Sequence, residues 1–274
     1  MARLQAYIAL ATVQAPVVFT STVSGSSEIG FLYTTSPYIH NYPVMYSLMD
    51  RPSEAAFVVS SKQFKAKSYS GLEYKSIRRV VEALARGEEP EAPYAYPLLP
   101  VKVGYVTFHT TMLADSHYID IRGKPKTYAP RNQNYVAIAP GSRFLTLILS
   151  PQPLPGRMYG SIGLKRLGIL RFDLCRARVS SGGEWEYSNL LVNEGDMRLL
   201  GFENGEYVLV YETRTRPSWN PGGNRISWYA GPGQYVLEPE RDKRCARVLR
   251  RARRYGEGGR ERWVAPLPPR FAYD

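Results

Sequence analysis

Three histidines, His40, His109 and His117, are the residues best suited to proton transfer or metal ligation in this chain. None belongs to an H-E-x-x-H pair or a comparable signature, and His109, Asp115 and His117 form only a loose cluster. A metal there would need ligands gathered across an irregular loop, so exposed loop residues are the simpler reading, and no metal or cofactor is expected. No G-x-S-x-G elbow, Walker A loop or dinucleotide fingerprint occurs. Gly160, Gly163 and Gly168, with Lys165 and Arg166, have the composition of a phosphate-cradling loop. They lack the strand, glycine spacing and Lys-Ser/Thr ending of a P-loop, which leaves contact with an RNA backbone as the chemistry they suit.

Cations and aromatic rings carry more information. At helical spacing, Lys243, Arg247, Arg250 and Arg254 stack on one side while Cys245, Val248, Leu249, Ala252 and Tyr255 occupy the other. A solvated face is the ordinary meaning of a charge run, but so many arginines with so little acid nearby favour contact with nucleic-acid phosphates. The apolar side is small and lacks the Trp or Phe of a membrane-interface helix. Tyrosine makes up 21 of the 274 residues, often beside amides and cations, as in Tyr38-Ile39-His40-Asn41-Tyr42 and Arg131-Asn132-Gln133-Asn134-Tyr135. Single-stranded RNA is held by such sets: bases stack on aromatic faces for about 1–3 kcal/mol each, amides read base edges and cations grip the backbone. For any one tyrosine, a half-buried place in a sheet is the competing reading.

The whole composition agrees. Lys plus Arg exceed Asp plus Glu by 36 to 24, a net charge of +12, so the surface field attracts a polyanion. Hydrophobic residues at 44% suffice for a sizeable core. Cys175 and Cys245 are too few for a disulfide scaffold and lack metal-ligand spacing, which points to a reducing, cytoplasmic interior. Leu4, Ala6, Ile8 and Leu10 alternate as in a strand rather than a signal peptide, and no apolar run approaches the roughly 20 residues of a membrane-spanning helix.

The elements that must position these residues are mostly strands, expected at Leu4–Thr12, Ala56–Ser60, Val101–Thr110, Tyr135–Ala139, Phe144–Ser150, Leu170–Val179 and Tyr207–Thr213. Helical periodicity marks Leu72–Arg86, Pro37–Leu48 with Ser36 as cap and Pro43 at its start or at a kink, and Glu240–Tyr255. Gly87–Pro100, Pro151–Gly168 and Pro217–Gly233 read as long surface loops, and Arg262–Asp274 as a Pro-rich tail that packs on something else or stays mobile. The class is α+β: a mostly antiparallel sheet with few helices, one face covered and the other able to stay open.

The stretch Gly30-Phe31-Leu32-Tyr33-Thr34-Thr35-Ser36-Pro37-Tyr38-Ile39-His40-Asn41-Tyr42, followed by Tyr46 and Leu48, closely resembles the hallmark segment of the crRNA 5′-handle-capping subunit of the type I-D CRISPR effector (Cascade), within the RAMP superfamily. Similarity continues through Tyr105-Val106-Thr107, Asn132–Tyr135, Gly141–Leu149 and Arg166-Leu167-Gly168, over the first two thirds of the chain. Pro43 stands where the pattern has Ala, and Ile169 where it has a basic residue. The resemblance implies a ferredoxin-like (RRM-like) RAMP fold with an inserted β thumb over residues 1–239, to which 240–274 add a basic helix and tail. It also implies a non-catalytic subunit that grips the crRNA 5′ handle, caps the backbone-forming subunits, docks the large subunit and meets target DNA through the complex, with no membrane partner. The expected RNA contacts are Tyr38, His40, Asn41, Tyr42, Arg131, Asn132, Tyr135, Lys165 and Arg166, with Lys243, Arg247, Arg250 and Arg254 on the basic helix, while Tyr33 and Tyr46 suit the core. Some superfamily relatives cut repeat RNA without metal, so a processing endonuclease built on His40 is the alternative.

Overall fold

A computed structural model describes residues 2–18, 22–24, 31–49, 75–112, 131–163, 167–188, 190–202, 207–214, 225–252 and 263–273. In chain order the first half forms β1 (Arg3–Ala15), β2 (Thr22–Ser24), β3 (Phe31–Thr34), α1 (Asn41–Leu48), α2 (Lys75–Arg86), β4 (Tyr94–Ala95), β5 (Leu99–Lys102), β6 (Tyr105–Met112) and β7 (Arg131–Ile138). There follow β8 (Arg143–Ser150), β9 (Arg157–Ile162), β10 (Gly168–Tyr187), β11 (Val192–Asn193), α3 (Glu194–Leu199), β12 (Val208–Arg214) and β13 (Arg225–Ala230). The chain continues with β14 (Pro232–Pro239), α4 (Lys243–Ala252), β15 (Trp263–Ala265) and β16 (Ala272–Tyr273).

A nine-stranded sheet in the order β15-β14-β10-β1-β8-β4 holds these together, with β16 on β1, β5 on β8 and β9 on β10. β1 lies inside it, antiparallel to β8 and β10, and Ile8 faces Leu147 on one side and Cys175 on the other. Its alternation of Leu4, Ala6, Ile8 and Leu10 would suit a strand with one wet face, but Tyr7, Ala9 and Ala11 between them are buried too, so both faces of β1 are covered, one of them by α4. A four-stranded sheet, β2-β3-β7-β6, is tied to the end of β1 by the Val17–Ile138 bridge, and β11-β13-β12 form a third sheet. The α+β class expected from the sequence is what the chain adopts.

The two sides of the large sheet can be told apart by register, since paired residues share a face. Asp173 pairs with Arg157 and Arg171 with Tyr159, while Phe172 pairs with Met158 and Leu170 with Gly160. α1 packs on the Gly160 side, and α4 on the side of Asp173 and Cys175.

Several expectations change. Pro151–Gly168 is not a surface loop, because Arg157–Ile162 pairs along β10; its Gly and Pro content masked a strand. Likewise Gly87–Pro100 contains β4, and Pro217–Gly233 contains β13. Val101–Thr110 is interrupted at Val103-Gly104, between β5 and β6. Ala56–Ser60 lies outside the described residues. The tail is neither mobile nor peripheral from Trp263 onward: Trp263, Val264, Ala265, Leu267 and Phe271 are buried, β15 pairs with β14, and β16 runs parallel to β1. Cys175 and Cys245, expected to be reduced, are joined in a disulfide that ties α4 to β10. A pair 70 residues apart has no spacing signature, so only the fold discloses it.

Candidate nucleic-acid interface

α1 starts one step after His40, whose extended backbone and Nδ1 cap the helix by accepting the Tyr42 amide at 3.1 Å. Ser36, expected to do this, instead accepts the Tyr38 amide in the preceding turn. Pro43 falls in the first helical turn, where its missing N–H costs nothing, so it does not kink the helix. The cap needs an unprotonated Nδ1, and burial pushes the His40 pKa down to about 4. At neutral pH the ring is therefore uncharged and carries its proton on Nε2, so neither nitrogen is arranged to take a proton from an attacking hydroxyl.

The next two residues turn inward. Asn41 is fully buried; its Nδ2 donates to Asp196 Oδ2 at 2.7 Å and its Oδ1 accepts from Asn193 Nδ2 at 2.8 Å. Tyr42 donates its hydroxyl to Asp196 Oδ1 at 2.9 Å, and Tyr94 donates to Oδ2 at 2.8 Å. Asn193 caps α3 through its Oδ1 on the Asp196 amide, 2.9 Å, and donates to the same carboxylate at 2.6 Å. Burial raises the Asp196 pKa, an effect the hydrogen bonds from Tyr94, Asn41, Tyr42 and Asn193 oppose. Burial and then Asp196 itself hold Tyr94 firmly protonated. The cluster clamps α1 to α3 and β4, and the Asn41 amide, expected to read a base, is spent inside the protein.

On the opposite side of the sheet lies a cationic cleft of about 490 Å³, lined by Gly156, Arg157, Asp173, Lys243, Arg244 and Arg247. α4 brings three of these cations because Cys245, Val248 and Ala252 are buried on the sheet and Lys243, Arg244, Arg247, Arg250 and Arg251 are turned outward. Arg157 and Arg171 share Asp173 at 2.7 and 3.1 Å, which neutralises the one carboxylate lining the cleft. Among the described residues Lys243, Arg244 and Arg247 form no ion pair, whereas the α2 arginines Arg78, Arg79 and Arg86 each have a glutamate partner. Beside Arg157, Tyr159 is 60% exposed on the same face.

The remaining expected contacts are scattered. Tyr38 is half-buried at the entry to α1. Tyr135 is 4% exposed in β7, so its ring offers no open stacking surface, and Tyr46 is buried as expected. Arg131 and Asn132 pair through β7 with Met112 and Thr111, but their side chains lie outside the described residues. Lys165, Arg166, Arg254, Asp115 and His117 also lie outside them. The described residues contain no group of metal-ligating side chains. Gly160 and Gly168 are packing sites: a Cβ at Gly160 would stand 2.4 Å from Ser47 Oγ, and one at Gly168 2.7 Å from Val17 Cγ2.

With this geometry in place, comparison with protein families is decisive: the model of the type I-D CRISPR-associated protein Cas5/Csc1 matches residues 4–186. The chain belongs to that family. A search of curated proteins returns no match. The Cas5/Csc1 match takes in α1, β1 and β8–β10, but Asn193, Asp196 and all of α4 lie beyond it. Two of the five clamp residues, Asn193 and Asp196, and three of the four cations lining the cleft, Lys243, Arg244 and Arg247, thus come from the segment after the family core. Of the cleft residues, Arg244 was legible as the neighbour of Lys243. Arg157 and Tyr159 were detectable only through the alternation Arg157, Tyr159, Ser161 against Met158, Gly160, Ile162, which the prolines and glycines around it obscured.

Proposed function

We propose that this Cas5/Csc1 chain is a non-catalytic subunit of a type I-D CRISPR effector in the cytoplasm, binding the crRNA 5′ handle, capping the backbone filament and docking the large subunit for antiviral DNA interference. The observation that carries the reading is the family match over residues 4–186. In such an assembly target sequence is read by base pairing, and the protein has only to hold handle and backbone, which suits a chain of net charge +12. The large sheet serves as the ferredoxin-like core and β2-β3-β7-β6 as the inserted thumb. Tyr38, Arg131, Asn132, Lys165 and Arg166 remain the proposed RNA contacts, while His40, Asn41 and Tyr42 support the interface from within. Subunit docking suits β12, an edge strand whose Val208, Leu209 and Val210 are all at least 40% exposed.

The non-catalytic part is supported by His40, whose Nδ1 is committed to capping α1. The test is to incubate the purified chain with its cognate repeat RNA. Retarded, intact RNA, released as salt is raised, is the expected result. Cleavage of wild-type substrate that disappears in His40→Ala would overturn the non-catalytic reading, and failure to bind the handle RNA at all would overturn the RNA-binding one.

A further inference from the structure

We infer that the α4 side of the large sheet is a second, separate track for a single-stranded phosphodiester chain, with phosphates in the Arg157–Lys243–Arg244–Arg247 cleft and a base stacked on Tyr159. The inference rests on the nucleic-acid reading above and adds a site that the hallmark segment does not contain.

Three independent features converge there. The first is uncompensated charge: four cations line the cleft against Asp173 alone, and Asp173 is already shared by Arg157 and Arg171. Asp242, at the start of α4, is turned to the Cys245 amide. Lys243, Arg244 and Arg247 are thus left without a carboxylate among the described residues, and an anion from outside would complete them. The second is positioning. The disulfide fixes Cys245, in the middle of the cationic run, to β10, and Arg244 lies against Gly156, where a Cβ would stand 1.7 Å from Nη1. The bare backbone at Gly156 leaves room for the guanidinium over the start of β9, and the disulfide holds the helix that carries it in place. The third is the aromatic surface. Tyr159 projects from the same face as Arg157 two residues earlier, about 7 Å along the strand, and is 60% exposed, with Ile169 nearby at 41%. An open ring beside a row of cations fits an unpaired base joined to its own backbone; a duplex, with its bases stacked inside, would leave the ring unused.

α1 covers the other side of the sheet, so this track and the hallmark segment are separated by the sheet's thickness. Guide RNA and single-stranded DNA share the chemistry the track recognises. Fluorescence anisotropy with full-length chain distinguishes them, using three labelled probes: handle RNA, single-stranded DNA of the same sequence and its duplex. Tyr159→Ala is expected to weaken the single-stranded probe that uses the track by about 5- to 150-fold, with Tyr159→Phe retaining affinity. Arg244→Ala/Arg247→Ala is expected to make the log–log salt dependence shallower by about 1.4, as for two lost contacts to a single strand. Both sets change exposed side chains, so melting temperatures should stay at the wild-type value. A loss confined to RNA assigns the track to the guide, and one confined to DNA assigns it to a displaced strand. If wild type binds handle RNA while both variants bind every probe as wild type does, the track is refuted and the RNA-binding function stands. If wild type binds no probe, both readings fall together.

Discussion

A histidine at a helix N-cap works only while Nδ1 is unprotonated, which gives His40 a pH dependence with a definite sign. Its pKa is lowered to about 4 in the folded chain, against about 6.5 unfolded. Between these values the unfolded chain binds the extra proton, so stability is full above pH 6.5 and declines as pH falls toward 4, by roughly 3 kcal/mol in total. His40→Asn keeps a capping oxygen and removes the titration. Urea melts from pH 7.5 to 4 should therefore show a steeper acid loss in wild type than in the variant, with similar stability at neutral pH; parallel curves would show that the ring does not titrate as the buried cap requires. At this scale the sequence is least transparent. Asn41 and Tyr42 beside His40 have the residue types of base readers and also those of a buried hydrogen-bond cluster. Their partner Asp196 lies 155 and 154 positions away, a distance over which no local pattern operates.

Elements were more legible where one periodicity dominates. β1, β8 and α2 stand close to where alternation or helical spacing puts them, because their apolar positions face a core that ranks burial above all else. β9 was hidden because Gly160 serves contact rather than turning: it lets α1 sit directly on the strand, with Ser47 at the point of approach. Gly160→Ala would place a Cβ 2.7 Å from the Ser47 Cβ and 3.2 Å from its carbonyl oxygen, and backbone on both sides leaves little room to yield. The expected cost is about 1–3 kcal/mol, measured as a lower denaturation midpoint at unchanged m-value. Wild-type stability in this variant would mean that α1 rides higher on β9. α3 escaped notice for a simpler reason: six residues are too few to establish a period.

Across the whole molecule, the disulfide closes a loop of 70 residues and joins the basic helix to the strand that also carries Asp173. Constraining a loop of that size in the unfolded chain is worth about 4 kcal/mol. Cys175→Ser/Cys245→Ser should melt about 10 °C below the oxidised protein and coincide with reduced wild type. Identical melting of oxidised and reduced wild type would show that α4 is held by packing alone. Both sulfurs sit in buried residues, 1% exposed, which shields the bond from reductant in a reducing compartment. The order in which the chain emerges sets a further problem. β1 is synthesised before every strand it pairs with: Ile8 pairs with Leu147 and Cys175, and Leu4 with Tyr273. A bare, strongly apolar strand must therefore wait until β8 and β10 have emerged for partners on both edges. Such non-local pairing slows folding and leaves a sticky edge exposed in the meantime, so the nascent chain is a natural client for chaperones.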